Sequence, residues 1–375
     1  MKYYIIAGEA SGDLHGSNLI KAIHVEDPEA RIHCWGGDLM ANAGGNLIKH
    51  YRDLAFMGFV EVLKNIRTIL ANMRFCKEDI LQFQPDALVL IDYPGFNLRI
   101  AKWAAQQNIP VYYYISPQLW AWHSSRIKVI RQSVRKMYVI LPFEQAFYQK
   151  YQYPVTWVGH PLLDVTDAYQ PDPHFRENNQ LDQRPIIALL PGSRKQEIQR
   201  LLDVMLSTVP HFPEYQFVIA GAPAMPDAFY RDIMAALPDY SVRLLSNQTY
   251  ALLAQASAAL VTSGTATLET ALFGVPQIVC YKGSNLSYQI AKRLVDIKYI
   301  SLVNLIADAP IVTELIQHDC NPTRLLSEMT QLLQPDNTLQ IKNAYAELRK
   351  ILGQNGAAPR TAQAIVSDLK ALAKK

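Results

Sequence analysis

Short apolar runs of strand length alternate with helix-periodic stretches along almost the whole chain. That alternation admits few architectures, chiefly parallel strands joined by covering helices. In the first half, strand-like runs occupy 2–7, 31–35, 86–92 ("DALVLID"), 110–116 ("PVYYYIS"), 136–141 and 155–158. Between two of them, "FVEVLKNIRTILANMRFC" sets Phe59, Val62, Leu63, Ile66, Ile69, Leu70 and Met73 on one face of a helix. The pattern breaks at "DVTDAYQPDPHFRENNQLDQRP" (164–185), a polar, proline-bearing stretch. It restarts with "IIALLP" (186–191), followed by runs at 215–220, 242–245, 258–262 and 276–280. From about residue 322 the reading is helical only. The expectation is two Rossmann-like doubly wound α/β domains, 1–165 and 186–345, joined by a linker at 166–185 and followed by C-terminal helices at 346–375. In such sheets ligands sit beyond the carboxyl ends of the strands, and two domains can face a central cleft.

Several function classes are excluded early. The four cysteines (Cys34, Cys76, Cys280, Cys320) form no C-x-x-C pair, which argues against a disulfide framework or a structural zinc site. A net charge of +3 gives no ground for a nucleic-acid partner. The N-terminus lacks a signal-peptide pattern, and no apolar stretch approaches the roughly 18–20 residues of a spanning helix, so a cytoplasmic protein is expected.

The opening "YYIIAGEASGDLHGSNLIKAI" (3–23) joins a strand-like run to a helix through Gly8, Gly12 and Gly16. This G-x3-G-x3-G spacing is neither the dinucleotide fingerprint nor the Walker loop. Glu9 and Asp13 beside the helix start would repel a diphosphate that a helix N-terminus otherwise attracts. With Ser11 and Gly12 they are expected to form an acceptor-side loop that bonds a hydroxyl-bearing substrate.

Two loops of the second half suit phosphate better. "ALLPGSRKQEI" turns through Gly192 and Ser193 into Arg194, a planar and permanent cation. "AALVTSGTATLETALFGVP" ends a strand near Val261 and opens a helix at Ser263, Gly264 and Thr265, with Glu269 one turn further to meet sugar hydroxyls. Ser263 and Thr265 also read as ordinary helix caps. In the first half, "VLIDYPGFNLRIAK" places Asp92 at the carboxyl end of a buried strand. There it can act as a general base, if burial or a neighbouring carboxylate raises its pKa, or it can be a plain Asx-turn residue. D-x-D, H-E-x-x-H and G-x-S-x-G sequences are absent, and the histidines do not pair at metal-ligand spacing. No metal or cofactor is therefore expected, and a leaving diphosphate would depend on Arg194 and helix dipoles. His15, His123 and His160 lie near these loops, where a lone histidine is more often packed than catalytic.

The segments "AGEASGD" (7–13), "MGFVEVL" (57–63), "IDYPGFN" (91–97), "YISPQLWAWH" (114–123), "LPFE" (141–144), "VGHPLLD" (158–164), "LLPGSRKQEI" (189–198), "SGTATLE" (263–269) and "AKRLVDIKYISLVNLIA" (291–307) cover nearly the whole chain in order. Together they resemble the lipid-A-disaccharide synthases, inverting glycosyltransferases of the GT-B fold. The resemblance implies transfer of 2,3-diacylglucosamine from its UDP conjugate to 2,3-diacylglucosamine 1-phosphate, giving a β-1,6-linked lipid disaccharide and UDP. It implies Asp92 as candidate base, Arg194 as the arginine of the UDP site, and Ser263, Gly264, Thr265 and Glu269 as the UDP-binding helix start. Asn304 falls in a further motif of the same site. Gly95 stands where some members have an acidic residue, and His15 is not general to the family.

Acylated substrates imply work at the cytoplasmic face of the inner membrane. Phe56 and Met57 could form a greasy entrance, and Arg126, Lys128 and Arg131, in a cluster continuing to Arg135 and Lys136, could meet anionic head groups. The plainer readings are a hydrophobic staple for Phe56 and Met57 and a solvated helix face for the cations. Trp120 and Trp122 are open to the same two readings. Family members can form dimers by exchanging C-terminal segments, which makes a homodimer an expectation. Two other functions fit the fold: a UDP-sugar epimerase, which needs no lipid, and a sensor that binds UDP without consuming a sugar nucleotide.

Overall fold

A computed structural model describes residues 1–54, 66–120, 126–223, 225–235, 242–283 and 298–374. Phe56, Met57, Trp122 and His123 lie outside them. The first sheet contains β1 (Lys2–Ala7), β2 (Arg31–Gly36), β3 (Asn46–His50), β4 (Ala87–Ile91), β5 (Val111–Tyr114), β6 (Lys136–Val139) and β7 (Thr156–Trp157). Their spatial order is β3-β2-β1-β4-β5-β6-β7. The second contains β8 (Ile186–Leu190), β9 (Gln216–Gly221), β10 (Val242–Ser246), β11 (Ala256–Thr262), β12 (Gln277–Tyr281) and β13 (Thr313–Ile316), in the order β10-β9-β8-β11-β12-β13. All the pairings are parallel. Parallel sheets are covered on both faces, which is why their strands read as continuous apolar runs. β8 shows this directly: Ile187 and Leu189 enter one core, and Ile186, Ala188 and Leu190 enter another. The edge strands β3 and β13, only partly buried, lack such runs and were not anticipated.

The glycines of the opening motif have a packing role. The helix Ala10–Glu26 brings Gly12 so close to β1 that a Cβ there would lie 3.0 Å from the Ala7 Cβ. One turn on, a Cβ at Gly16 would meet the Met40 sulfur at 2.6 Å, and before the helix one at Gly8 would strike the Tyr93 ring at 2.4 Å. The spacing of four residues sets Gly12 and Gly16 on one helix face, pressed against the first unit's own core.

The chain forms two compact units, Met1–Pro161 with Gln354–Lys375, and Leu162–Gly353. This differs from the expected boundaries in two ways. Residues 166–185 fold onto the second unit: Phe175 and Leu181 are buried in its core, and Arg176 donates to the Asp182 and Arg184 carbonyls. The expected terminal block also divides. The helix Pro335–Leu352 stays with the second unit, where the Tyr345 hydroxyl accepts from Gln277. The helix Ala357–Leu372 returns to the first unit, where Asp368 takes hydrogen bonds from Tyr112 and Arg135 and pairs with Lys136. Arg360 ties the two chain crossings together within the first unit. Its guanidinium donates to the Val158 carbonyl (2.6 and 3.0 Å) and to those of Gln354 (2.8 Å) and Asn355 (2.7 Å).

Gly12→Val should lower stability by about 1–3 kcal/mol, the usual range for overpacking. Gly95→Ala, at a helical position with nothing within 4 Å of a new Cβ, should be neutral or gain about 0.5–1 kcal/mol. Thermal melting of the two variants checks both signs.

Candidate active site

In each unit the strand order reverses once, between β1 and β4 and between β8 and β11. At such a switch point the following helices leave on opposite faces and open a crevice at the carboxyl ends. Glu9 follows β1 and Asp92 follows β4; Arg194 follows β8 and Ser263 follows β11. The four sequence motifs therefore fall on the two switch points.

Asp92 is held in an unusual way. Asp92 and Tyr93 both adopt left-handed backbone, at φ 43° and 49°. Tyr93 also precedes Pro94, where sterics favour extended backbone. Such conformations cost about 1–3 kcal/mol each and persist only when their surroundings over-determine them. Here the Asp92 carbonyl accepts from Asn97 Nδ2 (2.8 Å) and from the Tyr113 hydroxyl (2.5 Å). The Asp92 N–H donates to the carbonyls of Tyr114 and Ile115, each at 3.3 Å. The close surrounding of protein, and then the charge of Glu9, push the Asp92 carboxyl up to about 7.

The rest of the acceptor-side loop separates into distinct roles. Glu9 precedes the opening helix, half-buried and electrostatically coupled to Asp92, and Ser11 is exposed on the first turn. Asp13, expected to bond the acceptor, is instead buried. Its carboxylate accepts from the backbone N–H groups of Gly37 (2.7 Å), Met40 (3.0 Å) and Leu39 (3.2 Å), closing the N-terminus of the helix Asp38–Asn42. Those amides have no carbonyl partners at a helix start, and a carboxylate there complements the dipole. His15 and His160 are buried, and desolvation lowers them to about 4 and about 3, so both are neutral near pH 7.

In the second unit Gly192 adopts φ +123°, with Glu197 packed where a Cβ would stand. Ser193 and Arg194 are exposed, and Arg194 Nη1 donates to Glu197 at 3.1 Å. An exposed pair of this kind is worth under about 1 kcal/mol, so Arg194 can exchange it for a phosphate. The helix Thr265–Leu272 starts after Gly264 with no side-chain cap and no acid in its first turn, unlike the helix after Arg194, which carries Glu197 there. Ser263 is turned aside, its hydroxyl donating to the Ile300 carbonyl at 2.9 Å. Glu269 accepts from the Tyr250 hydroxyl at 2.7 Å, and burial raises its pKa.

Asn304 was expected to bind the UDP-sugar. It is buried, and its amide is taken up by Val312 N–H, the Val312 carbonyl and Glu314. Glu314 also accepts from Ile300 and Ser301 N–H and from the Ser301 hydroxyl. This network fixes residues 300–304, and through the Ile300 carbonyl it fixes Ser263. Sequence reasoning missed Asn97, Tyr113, Glu197, Tyr250 and Glu314. Only Asn97 offered a signal, as a polar residue one turn beyond Asp92 on an otherwise apolar helix face.

The basic cluster divides as well. Arg135 and Lys136 are committed to Asp368, whose pKa falls well below the carboxylate range. The helix Ile127–Ser133 buries Ile127 and Ile130, leaving Lys128 and Arg131 exposed and Arg126 half-exposed. Trp120 packs edge-on against Phe143 at 5.1 Å.

Two doubly wound parallel α/β units are the architecture that solved glycosyltransferases and UDP-sugar epimerases share. UDP-N-acetylglucosamine 2-epimerase from Neisseria meningitidis, solved with UDP-GlcNAc, superposes with a TM-score of 0.67 over 99% of this chain and 100% of that one, at 14% identity. The glycotransferase of kitacinnamycin gives 0.64 over 97% and 98%, at 13% identity. The profile of the lipid-A-disaccharide synthetase family matches residues 3–367. The lipid-A-disaccharide synthase of Syntrophus aciditrophicus is 43% identical over 96% of this chain and 95% of its own. Those of Trichlorobacter lovleyi (97% and 96%) and Coxiella burnetii (96% and 96%) are each 37% identical. The chain belongs to the lipid-A-disaccharide synthase family, and its reaction is glycosyl transfer, not epimerisation.

Asp13→Ala should cost about 1.5–3 kcal/mol, the range for hydrogen bonds to a charged group, by leaving buried donors without an acceptor. Calorimetric melting should show this loss, while KM for the acceptor, measured below the transition, stays unchanged.

Proposed function

We propose that the enzyme transfers 2,3-diacylglucosamine from its UDP conjugate to the 6-hydroxyl of 2,3-diacylglucosamine 1-phosphate. The Asp92 carboxylate takes the proton of that hydroxyl. Its oxygen bonds the anomeric carbon with inversion as the bond to the diphosphate breaks, and UDP leaves with the bonding pair. Arg194 and the uncapped helix start at 264–265 receive the developing negative charge. Glu269, Gly192 and Ser193, all of the second unit, contribute hydrogen-bonding groups for the nucleotide sugar. The observation that carries this reading is Asp92 at the β1/β4 switch point, with burial and Glu9 raising its carboxyl to about 7. A base of that strength is matched to proton removal near neutral pH.

No helix among the described residues is long and apolar enough to cross a membrane. The acyl chains of both substrates favour work on the lipid surface, on the cytoplasmic face of the inner membrane, with exposed Lys128 and Arg131 available to anionic head groups. A homodimer made by exchanging the helix Ala357–Leu372 would keep its contacts with the opening helix, supplied by a second copy. Molecular mass in solution tests that arrangement.

Purified protein given both lipid substrates in EDTA should yield, by mass spectrometry, a tetra-acylated disaccharide 1-phosphate and free UDP; a requirement for added metal would count against transfer by Arg194 and helix dipoles alone. Asp92→Asn should lower kcat by about 10²–10⁴-fold with UDP affinity unchanged. Because the base must be ionised, kcat/KM should rise as pH increases through about 7 and level off above it.

A further inference from the structure

Asn97 and Tyr113 are fully buried side chains to which the proposed reaction assigns no chemical step. Both nevertheless converge on one atom, the carbonyl oxygen of Asp92. Asn97 Nδ2 lies 2.8 Å from it, and the Tyr113 hydroxyl lies 2.5 Å from it. The same Asn97 nitrogen faces the carbonyls of Ile91 (3.2 Å) and Ile6 (3.4 Å), the ends of the two strands that flank the switch point. Tyr113 comes from β5, on the other side of β4 from β1. Three neighbouring strands therefore meet at the peptide unit that begins the left-handed Asp92–Tyr93 turn.

These bonds answer a need of the backbone. A carbonyl at a strand end that turns left-handed leaves the sheet ladder and needs new donors, because a buried acceptor without one is disfavoured. Asn97 and Tyr113 supply them only while the turn keeps its present conformation. In a relaxed, extended turn the carbonyl would point elsewhere, and the Asp92 side chain would leave its place beside Glu9. The Tyr93 ring packed over Gly8 closes the same turn from the β1 side.

We propose that Asn97 and Tyr113 are positioning residues for glycosyl transfer: their joint hydrogen bonds to the Asp92 carbonyl hold the left-handed turn that aims the Asp92 carboxylate at the acceptor hydroxyl. This rests on the assignment of Asp92 as the base. A carboxylate held to within a fraction of an ångström transfers protons far faster than one that samples several orientations.

The test is Tyr113→Phe, which removes one hydroxyl and keeps the ring's packing, together with Asn97→Ala. Each should lower kcat about tenfold or more, leave KM for both substrates within about twofold, and keep a single cooperative melting transition at a modestly lower midpoint, since each leaves a buried carbonyl short of a donor. The midpoint of the pH–rate profile should move below that of the wild type, because a released carboxylate gains water and separates from Glu9. Wild-type kcat and pH midpoint in Tyr113→Phe would overturn the proposal. Loss of the folded first unit in that variant would also overturn it, since the bonds would then serve the fold alone. Asp92→Asn separates the base assignment from the positioning role. If it keeps near-normal turnover, the base assignment fails and positioning fails with it. If it is inactive while Tyr113→Phe behaves as wild type, only positioning fails.

Discussion

Two parallel strands whose crossover helices leave on opposite faces create a gap between their carboxyl ends that no backbone fills. Each unit of this enzyme has one such gap, and the polar residues that matter hang from its two rims. The sheets behind them are packed on both faces, so the rim residues hang from well-buried strands. Asp92 extends this logic, because its carbonyl is bonded by neighbours from the following helix and from the adjacent strand.

The two gaps carry opposite electrostatics. The first holds Glu9 and Asp92, two carboxylates close enough for one to raise the other, so it suits a hydroxyl that must lose a proton. The second holds Arg194, exposed and paired with the exchangeable Glu197, and a neighbouring helix start without side-chain cap or acid, so it suits a group that gains negative charge. A leaving diphosphate placed at the first gap would be repelled, and a base placed at the second would be held ionised and weak. This division follows from Coulomb's law in a partly desolvated site.

Much of this was legible in the residues. The apolar runs located most strands because both faces of a parallel sheet demand apolar side chains. The turn sequences at Asp92, Arg194 and Ser263 fell at strand ends for the same reason. What stayed hidden involved partners distant in sequence. Asp13 and Asn304 have the chemistry of binding residues, yet Asp13 is consumed by backbone groups of 37–40, and Asn304 by the Val312 backbone and the Glu314 carboxylate. The glycine spacing of the opening motif matched no phosphate-binding fingerprint, and its reason is contact with Ala7, Met40 and Tyr93. The apparent linker carries two buried apolar residues among many polar ones, too few for a periodic signal.

The sequence by itself determined the alternation of strands and helices, the two doubly wound units, the family, and the residue types at each switch point. These are local properties, written in periodicity and turn chemistry. Tertiary structure alone decided which polar groups remain available for chemistry. It spent Asp13 and Asn304 on backbone donors and acceptors, committed Arg135 and Lys136 to Asp368, and left Asp92 beside Glu9 with a raised pKa. It also returned the last helix to the first unit, where Arg360 joins the two chain crossings. The physical reason is the same in each case: a hydrogen bond or a desolvation depends on what lies within a few ångströms, and the chain brings those neighbours together only when it folds.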